Sequence, residues 1–175
     1  MHDDRTAAVI ESSKTVKQRR GRRHAAPRAV VCAAALCLVM AGCGTKPTLL
    51  RADLQAAADV NPDGNGRASP IVVRLYELKT PSGFDSADFF SLWDKDAATL
   101  GPDMAARDEY LMKPGEQRKI ERSPQSGVTF IGVVAAFRDI ERARWRATVP
   151  VPANQTTDVV IKLEPRSIAM TAKKD

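Results

Sequence analysis

Ala29 to Gly42 is an unbroken run of fourteen apolar or small residues, with Lys14, Lys17, Arg19, Arg20, Arg22, Arg23 and Arg28 before it and Cys43 directly after it. Nothing else in the chain constrains its fold so strongly. A bilayer crossing needs about 20 residues at 1.5 Å rise each, so the run is short for a permanent span. A basic n-region, an apolar core of about 7–15 residues and small residues at its end describe an export signal. A buried N-terminal core helix is the alternative, but it leaves the dense basic flank unexplained. The paired arginines Arg19-Arg20 and Arg22-Arg23 invite a twin-arginine reading that nothing around them supports. The charge follows the same boundary. Residues 1–42 hold eight basic and three acidic side chains, a net +5, whereas residues 43–175 hold 19 and 18, a net +1. The basic character belongs to the leader, and it gives no reason to expect a nucleic-acid partner.

Leu38-Val39-Met40-Ala41-Gly42-Cys43-Gly44 resembles a bacterial lipobox, in which small residues precede a cysteine that receives a diacylglyceryl group. Three cysteines would also allow one disulfide and a spare thiol. Cys32 and Cys37, however, lie in the segment to be removed, which leaves Cys43 alone in the mature chain. A thioether-linked lipid is then the best use of it. One acyl chain holds a protein marginally at about 0.8 kcal/mol per buried CH₂, whereas two or three hold it durably. By analogy with enteric lipoproteins, Gly44 in the position after the cysteine is compatible with sorting to the outer membrane. The expected organisation is residues 1–42 as a removed signal, 43–49 as a lipidated tether and 50–175 as one folded domain.

The domain reads as strands. Leu50 to Val60 alternates apolar and polar positions over eleven residues, the period of a half-buried strand. Asn61-Pro62-Asp63-Gly64-Asn65-Gly66-Arg67-Ala68-Ser69-Pro70 concentrates turn formers and is long for a hairpin tip. Ile71–Lys79, Met104–Met112, Gln117–Arg122, Val128–Phe137, Arg144–Val149, Thr156–Leu163 and Ser167–Thr171 read as further strands, with Val128–Phe137 central and Gln117–Arg122 at an edge. Phe84 to Trp93 reads as a helix capped by Asp85 or Ser86, with Phe84 packed on Phe89 as a staple and Phe89, Leu92 and Trp93 covering one end of the sheets. Seven or eight short strands make an all-β protein, a two-sheet β-sandwich with a short helical insertion after the second strand.

Both histidines, His2 and His24, fall in the leader. Serine-histidine and cysteine-histidine nucleophiles and histidine-ligated metals therefore have no residues to use in the body. The expectation is no catalytic residue, no metal and no cofactor beyond lipid on Cys43. The acid pairs Asp94/Asp96 and Asp108/Glu109 read as solvated charge, although a hydrolase would need two such carboxylates facing one pocket. Arg142, Arg144 and Arg146 read as an outward stripe on one strand with Trp145 turned inward.

Several segments together resemble the TssJ (VasD, SciN) lipoproteins of bacterial type VI secretion systems. They are Cys43, Ala58–Pro62, Ser69–Leu78, Phe84–Trp93, Lys113–Glu116 and Val133–Asp139 with Trp145-Arg146 downstream, in family order. Met40 in the lipobox and the long n-region depart from the family pattern. The resemblance implies a transthyretin-like sandwich, a non-enzymatic role, diacylglyceryl and N-acyl lipid on Cys43, and an outer-membrane anchor facing the periplasm. It implies as partner the periplasmic domain of the inner-membrane protein TssM, gripped by the loop between the first two strands. Carried onto this chain, that loop is Asn61, Pro62, Asp63, Gly64, Asn65, Gly66 and Arg67. The same loop as a plain connection shaped by Asn61-Pro62 stays open, most of all for Gly64 and Gly66. So does a lipid-anchored sandwich that binds a small ligand or glycan, which would expose Tyr76, Trp93 and Trp145 in a cleft.

Overall fold

The computed structural model describes residues 46–173; the expectations placed on Cys43 and Gly44 lie outside them. Alternation sets the strands. In β1 (Leu49–Ala56), Leu50, Ala52, Leu54 and Ala56 are buried. β7 (Thr156–Glu164) repeats the device with Thr157, Val159, Ile161 and Leu163. Eight strands form two four-stranded sheets. One has the order β4-β1-β7-β8, with β4 Gln117–Arg122 and β8 Ser167–Lys173. The other has the order β3-β2-β5-β6, with β2 Ile71–Leu78, β3 Met104–Met112, β5 Phe130–Ala135 and β6 Arg146–Pro150. All neighbours are antiparallel except β1 and β7, which run parallel. The expected two-sheet β-sandwich is therefore present, with Gln117–Arg122 at an edge and the apolar β5 inside its sheet.

The first strand is shorter than its alternation. β1 stops at Ala56 although period two continues to Val60. Its ladder with β4 ends at the pair Gln55–Gln117 and its ladder with β7 at Ala56–Leu163, so neither neighbour continues as a strand partner beyond Ala56. The chain turns instead, with the Val60 amide donating to Ala57 O at 3.2 Å.

The helical insertion also differs from the single Phe84–Trp93 helix. It consists of α1 (Ser82–Ser86), α2 (Phe89–Asp94) and α3 (Asp96–Leu100). Ala87 is extended at ψ 151°, and Asp88 caps α2 by accepting from the Ser91 amide at 2.9 Å. Asp85 and Ser86 therefore end a helix instead of starting one. Phe84 does not pack on Phe89 as a staple. It is fully buried against Tyr76, with ring centroids 5.4 Å apart, while Phe89 stacks on Trp93. These helices lie over the outer face of the β3-β2-β5-β6 sheet, not over one end of the sandwich. They bury Tyr76, Leu78 and Val134 there with Phe84, Leu92 and Leu100. The opposite face of that sheet supplies Val73, Leu75, Ile131 and Val133 to the inter-sheet core. Each such side chain contributes about 1.5–3 kcal/mol on burial.

Between the free edges of β3 and β4 an ionic clasp closes the sandwich. Arg122 reaches from β4 to Glu77 on β2, 2.7 Å away, and also pairs with Asp108 on β3. The second oxygen of the Glu77 carboxylate accepts from the Gln125 amide at 2.9 Å. Asp108, read from sequence as solvated, is thus a member of the clasp. Two substitutions test this packing. A Cβ at Gly132 would lie 2.8 Å from Phe84 Cζ, so Gly132→Ala should cost about 1–3 kcal/mol in urea unfolding. Arg122→Ala leaves the Glu77 carboxylate buried without its cation and should cost about 3 kcal/mol, whereas a surface Lys162→Ala control should shift the midpoint little.

Candidate functional site

The loop from Asn61 to Pro70 is built by its own polar side chains. Asn61 adopts the left-handed region at φ 49°, a conformation that asparagine tolerates better than most residues. Its side chain is buried and turned inward. Nδ2 donates to Pro70 O at 2.9 Å, closing the base of the loop, and Oδ1 accepts from the Arg138 amide at 2.8 Å, fastening the loop to the β5–β6 connection. The Asn61 amide donates to Pro165 O at 3.2 Å, and the Ser69 amide to Val60 O at 3.1 Å. Three connections at this end of the sandwich are thereby tied to one residue.

Asp63 organises the tip. Its Oδ1 accepts from the Asn65 and Arg67 amides, both at 2.9 Å, and its Oδ2 accepts from Arg67 Nε at 2.8 Å. The first contact is an Asx turn. The Asp63 amide donates to Arg67 O at 2.9 Å, and Gly66, at φ +80°, donates to Asp63 O at 2.9 Å. Only a glycine takes that φ without strain. The Arg67 amide, then its guanidinium, hold the Asp63 carboxyl below its ordinary pKa.

The seven loop residues singled out from sequence are therefore not equivalent. Asn61 is buried and structural, and Pro62 and Asp63 are half-buried in the brace. Gly64, Asn65, Gly66 and Arg67 are exposed, with 76% of the Arg67 side chain in solvent. Sequence reasoning did not find Arg138, which lies 77 positions from Asn61 and is exposed beside the loop. The family segment Val133–Asp139 includes it, but nothing local ties it to the loop, because that contact exists only once β2 and β5 pair.

Elsewhere the polar clusters are structural. Asp96 is buried, not solvated, and pairs with Arg107; the Tyr76 hydroxyl donates to Leu92 O at 3.1 Å. Glu109 pairs with Arg74 at 2.8 Å, on the side of β3 away from Asp108, so these two acids do not face one pocket. Arg74 lies over the Trp93 ring at 3.8 Å. Arg142, Arg144 and Arg146 do not form one strand stripe. Arg142 sits in a short 3₁₀ turn, and only Arg146 is in β6, where it donates to the Phe84 and Ala87 carbonyls and fixes α1 to the sheet. Tyr76 is fully buried, and Trp93 and Trp145 pack on Phe89 and are half-buried. These rings hold the helices in place and do not line an aromatic cleft, so they do not support the small-ligand alternative. Among the described residues no group of three or more His, Cys, Asp or Glu side chains is arranged to hold a metal, and no helix is long and apolar enough to cross a membrane.

The geometry is that of a two-sheet scaffold carrying a helical cover and one internally braced terminal loop. The model of the type VI secretion lipoprotein family (VasD, EvfM, TssJ) matches residues 48–166, and the chain belongs to that family. Among solved structures it is similar to the T6SS lipoprotein TssJ1 from Pseudomonas aeruginosa, at 41% identity and TM-score 0.71, over 74% of this chain and 98% of that one. It shares its fold with Serratia marcescens Lip, a membrane-bound component of the type VI secretion system, at 23% identity and TM-score 0.67, over 74% and 99%. It shares its fold also with a chain of the structure described as the T6SS protein TssM C-terminal domain from EAEC, at 23% identity and TM-score 0.57, over 73% and 98%. A comparison with curated protein sequences gives no match.

Two measurements test the loop. Asn61→Ala strands the Pro70 carbonyl and the Arg138 amide, and should lower unfolding stability by about 1–3 kcal/mol. Because the folded Asp63 carboxyl titrates below its ordinary value, its contribution is complete above pH 3.8 and is lost as pH falls through the lowered value. The Arg67 amide resonance should therefore titrate with a midpoint below 3.8, and a midpoint at or above it would disprove the brace.

Proposed function

We propose that this protein is the lipid-anchored component of a type VI secretion membrane complex that ties the periplasmic domain of TssM to the outer membrane. In this reading residues 1–42 are a signal removed on export, and Cys43 carries diacylglyceryl and N-acyl chains. Gly44 permits outer-membrane sorting, and residues 43–49 are the tether of the sandwich domain 50–175. The domain faces the periplasm, works by binding, and catalyses nothing. The observation that carries the reading is the braced Asn61–Ser69 loop, held at the end of the sandwich away from Thr48, in a chain of this lipoprotein family. A rigid tip loses little entropy on association, which raises affinity without enlarging the interface. The exposed backbone of Gly64 to Gly66 offers donors and acceptors, and Arg67 offers a cation and planar donors.

The test is capture of the periplasmic part of TssM by the full-length protein. Replacing Gly64–Arg67 with a Ser/Gly segment of equal length, while keeping Asn61, Asp63 and Ser69, should abolish capture. Arg67→Ala alone should weaken it about tenfold, the size of an interface hot spot. Undiminished capture by the loop variant would remove the loop from the mechanism. Mass spectrometry of the mature N-terminus should find an acylated Cys43, and Cys43→Ser should lose membrane fractionation.

A further inference from the structure

The helices do not cover the whole outer face of the β3-β2-β5-β6 sheet. Ile71, Val73 and Leu75 of β2 point into the inter-sheet core, so its outer face carries Tyr76 and Leu78 under the helices, then Arg74, then Val72. Arg74 marks the rim of the cover, with its guanidinium over the Trp93 ring and its Nε 2.8 Å from the Glu109 carboxylate. Beyond the rim, Val72 lies opposite Leu111 on β3, and on its other side the Ala136 amide donates to Val72 O at 2.9 Å. Val72 and Ala136 are half-buried, Leu111 is 56% exposed, and none of the three belongs to either hydrophobic core. Two residues before Val72 stands the exposed Pro70, whose carbonyl Asn61 holds at the base of the loop. An apolar strip three strands wide thus joins the loop to the edge of the helical cover.

We infer that this strip, with Leu111 as its most exposed member, is the apolar part of the surface that the partner of the Asn61–Ser69 loop covers, and that it receives an aliphatic or aromatic side chain of that partner. This rests on the reading of the loop as partner-binding. The tip itself, Gly64-Asn65-Gly66-Arg67, has no apolar side chain. Protein interfaces concentrate their binding energy in a desolvated apolar centre and set hydrogen-bonding groups around it. The tip supplies the second and the strip supplies the first. Among the described residues Phe90 and Leu111 are the large apolar side chains that stand exposed, and Leu111 is the one across the sheet from the exit of the loop. Size argues against a second copy as occupant. With strands about 4.8 Å apart and about 3.4 Å per residue, the strip spans on the order of 100 Å², against about 800 Å² per partner in a stable complex. It is an anchor point that needs the loop beside it. Arg74 and Glu109 neutralise each other at its border, so an uncharged side chain can enter without stripping water from an unpaired ion.

The test is titration of the full-length protein with the periplasmic part of TssM. Leu111→Ala should weaken binding about tenfold, the loss expected for one buried aliphatic side chain, and Leu111→Asp should weaken it further. Leu111→Met keeps the apolar volume and should bind within about twofold of the wild type. Because the position is exposed, all three variants should keep the wild-type urea midpoint and the Arg67 amide titration, which report an intact fold and loop. Wild-type binding by Leu111→Ala and Leu111→Asp, with binding abolished by the Gly64–Arg67 replacement, would overturn the strip and leave the loop reading standing. Wild-type binding by the loop replacement would overturn the loop reading and the shared surface together. Self-association in sedimentation that Leu111→Asp abolishes would overturn the occupant assigned to the strip.

Discussion

The β3-β2-β5-β6 sheet has to be buried on both of its faces, and the rest of the molecule is arranged around that requirement. One face packs on the second sheet through Val73, Leu75, Ile131 and Val133. The other carries Tyr76, Leu78 and Val134, which need a cover of their own. The helical insertion provides it, and the fit depends on Gly132, whose missing side chain leaves the space that Phe84 fills. Interiors pack like crystals, so a single methyl group at that point displaces a helix. Arg146, Arg74 and the Trp93–Phe89–Trp145 group then fasten the cover from its rim. Aromatic residues that would suggest a ligand site in isolation serve here as packing.

The charged residues follow a similar logic. Glu77, Asp96 and Asp108 lie where sequence alone would place solvated acids or alternating strand positions, yet each meets an arginine. For Glu77 and Asp96, breaking the pair costs more than its formation gains, because the orphaned carboxylate stays buried. These pairs fix which edges and helices meet. The loop at the far end is governed by the same economy of polar groups. Asn61 and Asp63 satisfy the backbone locally, so a segment without helix or strand is held in one shape and its tip is displayed on a rigid frame.

Much was legible in the sequence because it depends on local chemistry. Period-two alternation marked β1 and β7, β-branched and aromatic residues marked β2, the apolar run marked β5, and the Gly/Pro/Asn cluster marked the loop after β1. The family motifs, read in order, pointed to the lipoprotein family that the match over residues 48–166 establishes. The absence of histidine after residue 42, like the excess of basic residues before it, is a property of composition and needs no coordinates.

Tertiary structure decided whatever depends on a distant neighbour. The end of β1 at Ala56 is set by where its ladders with β4 and β7 stop, not by its own alternation. The break at Ala87-Asp88 separates Phe84, buried against Tyr76 over Gly132, from Phe89, stacked on Trp93, and both of these partners come from outside the local sequence pattern. Asn61 belongs to the frame and Arg67 to the surface because a residue 77 positions from Asn61 comes to meet it. Side-chain pattern records which face of an element is apolar, whereas the partner of a hydrogen bond or an ion pair is recorded only in the fold.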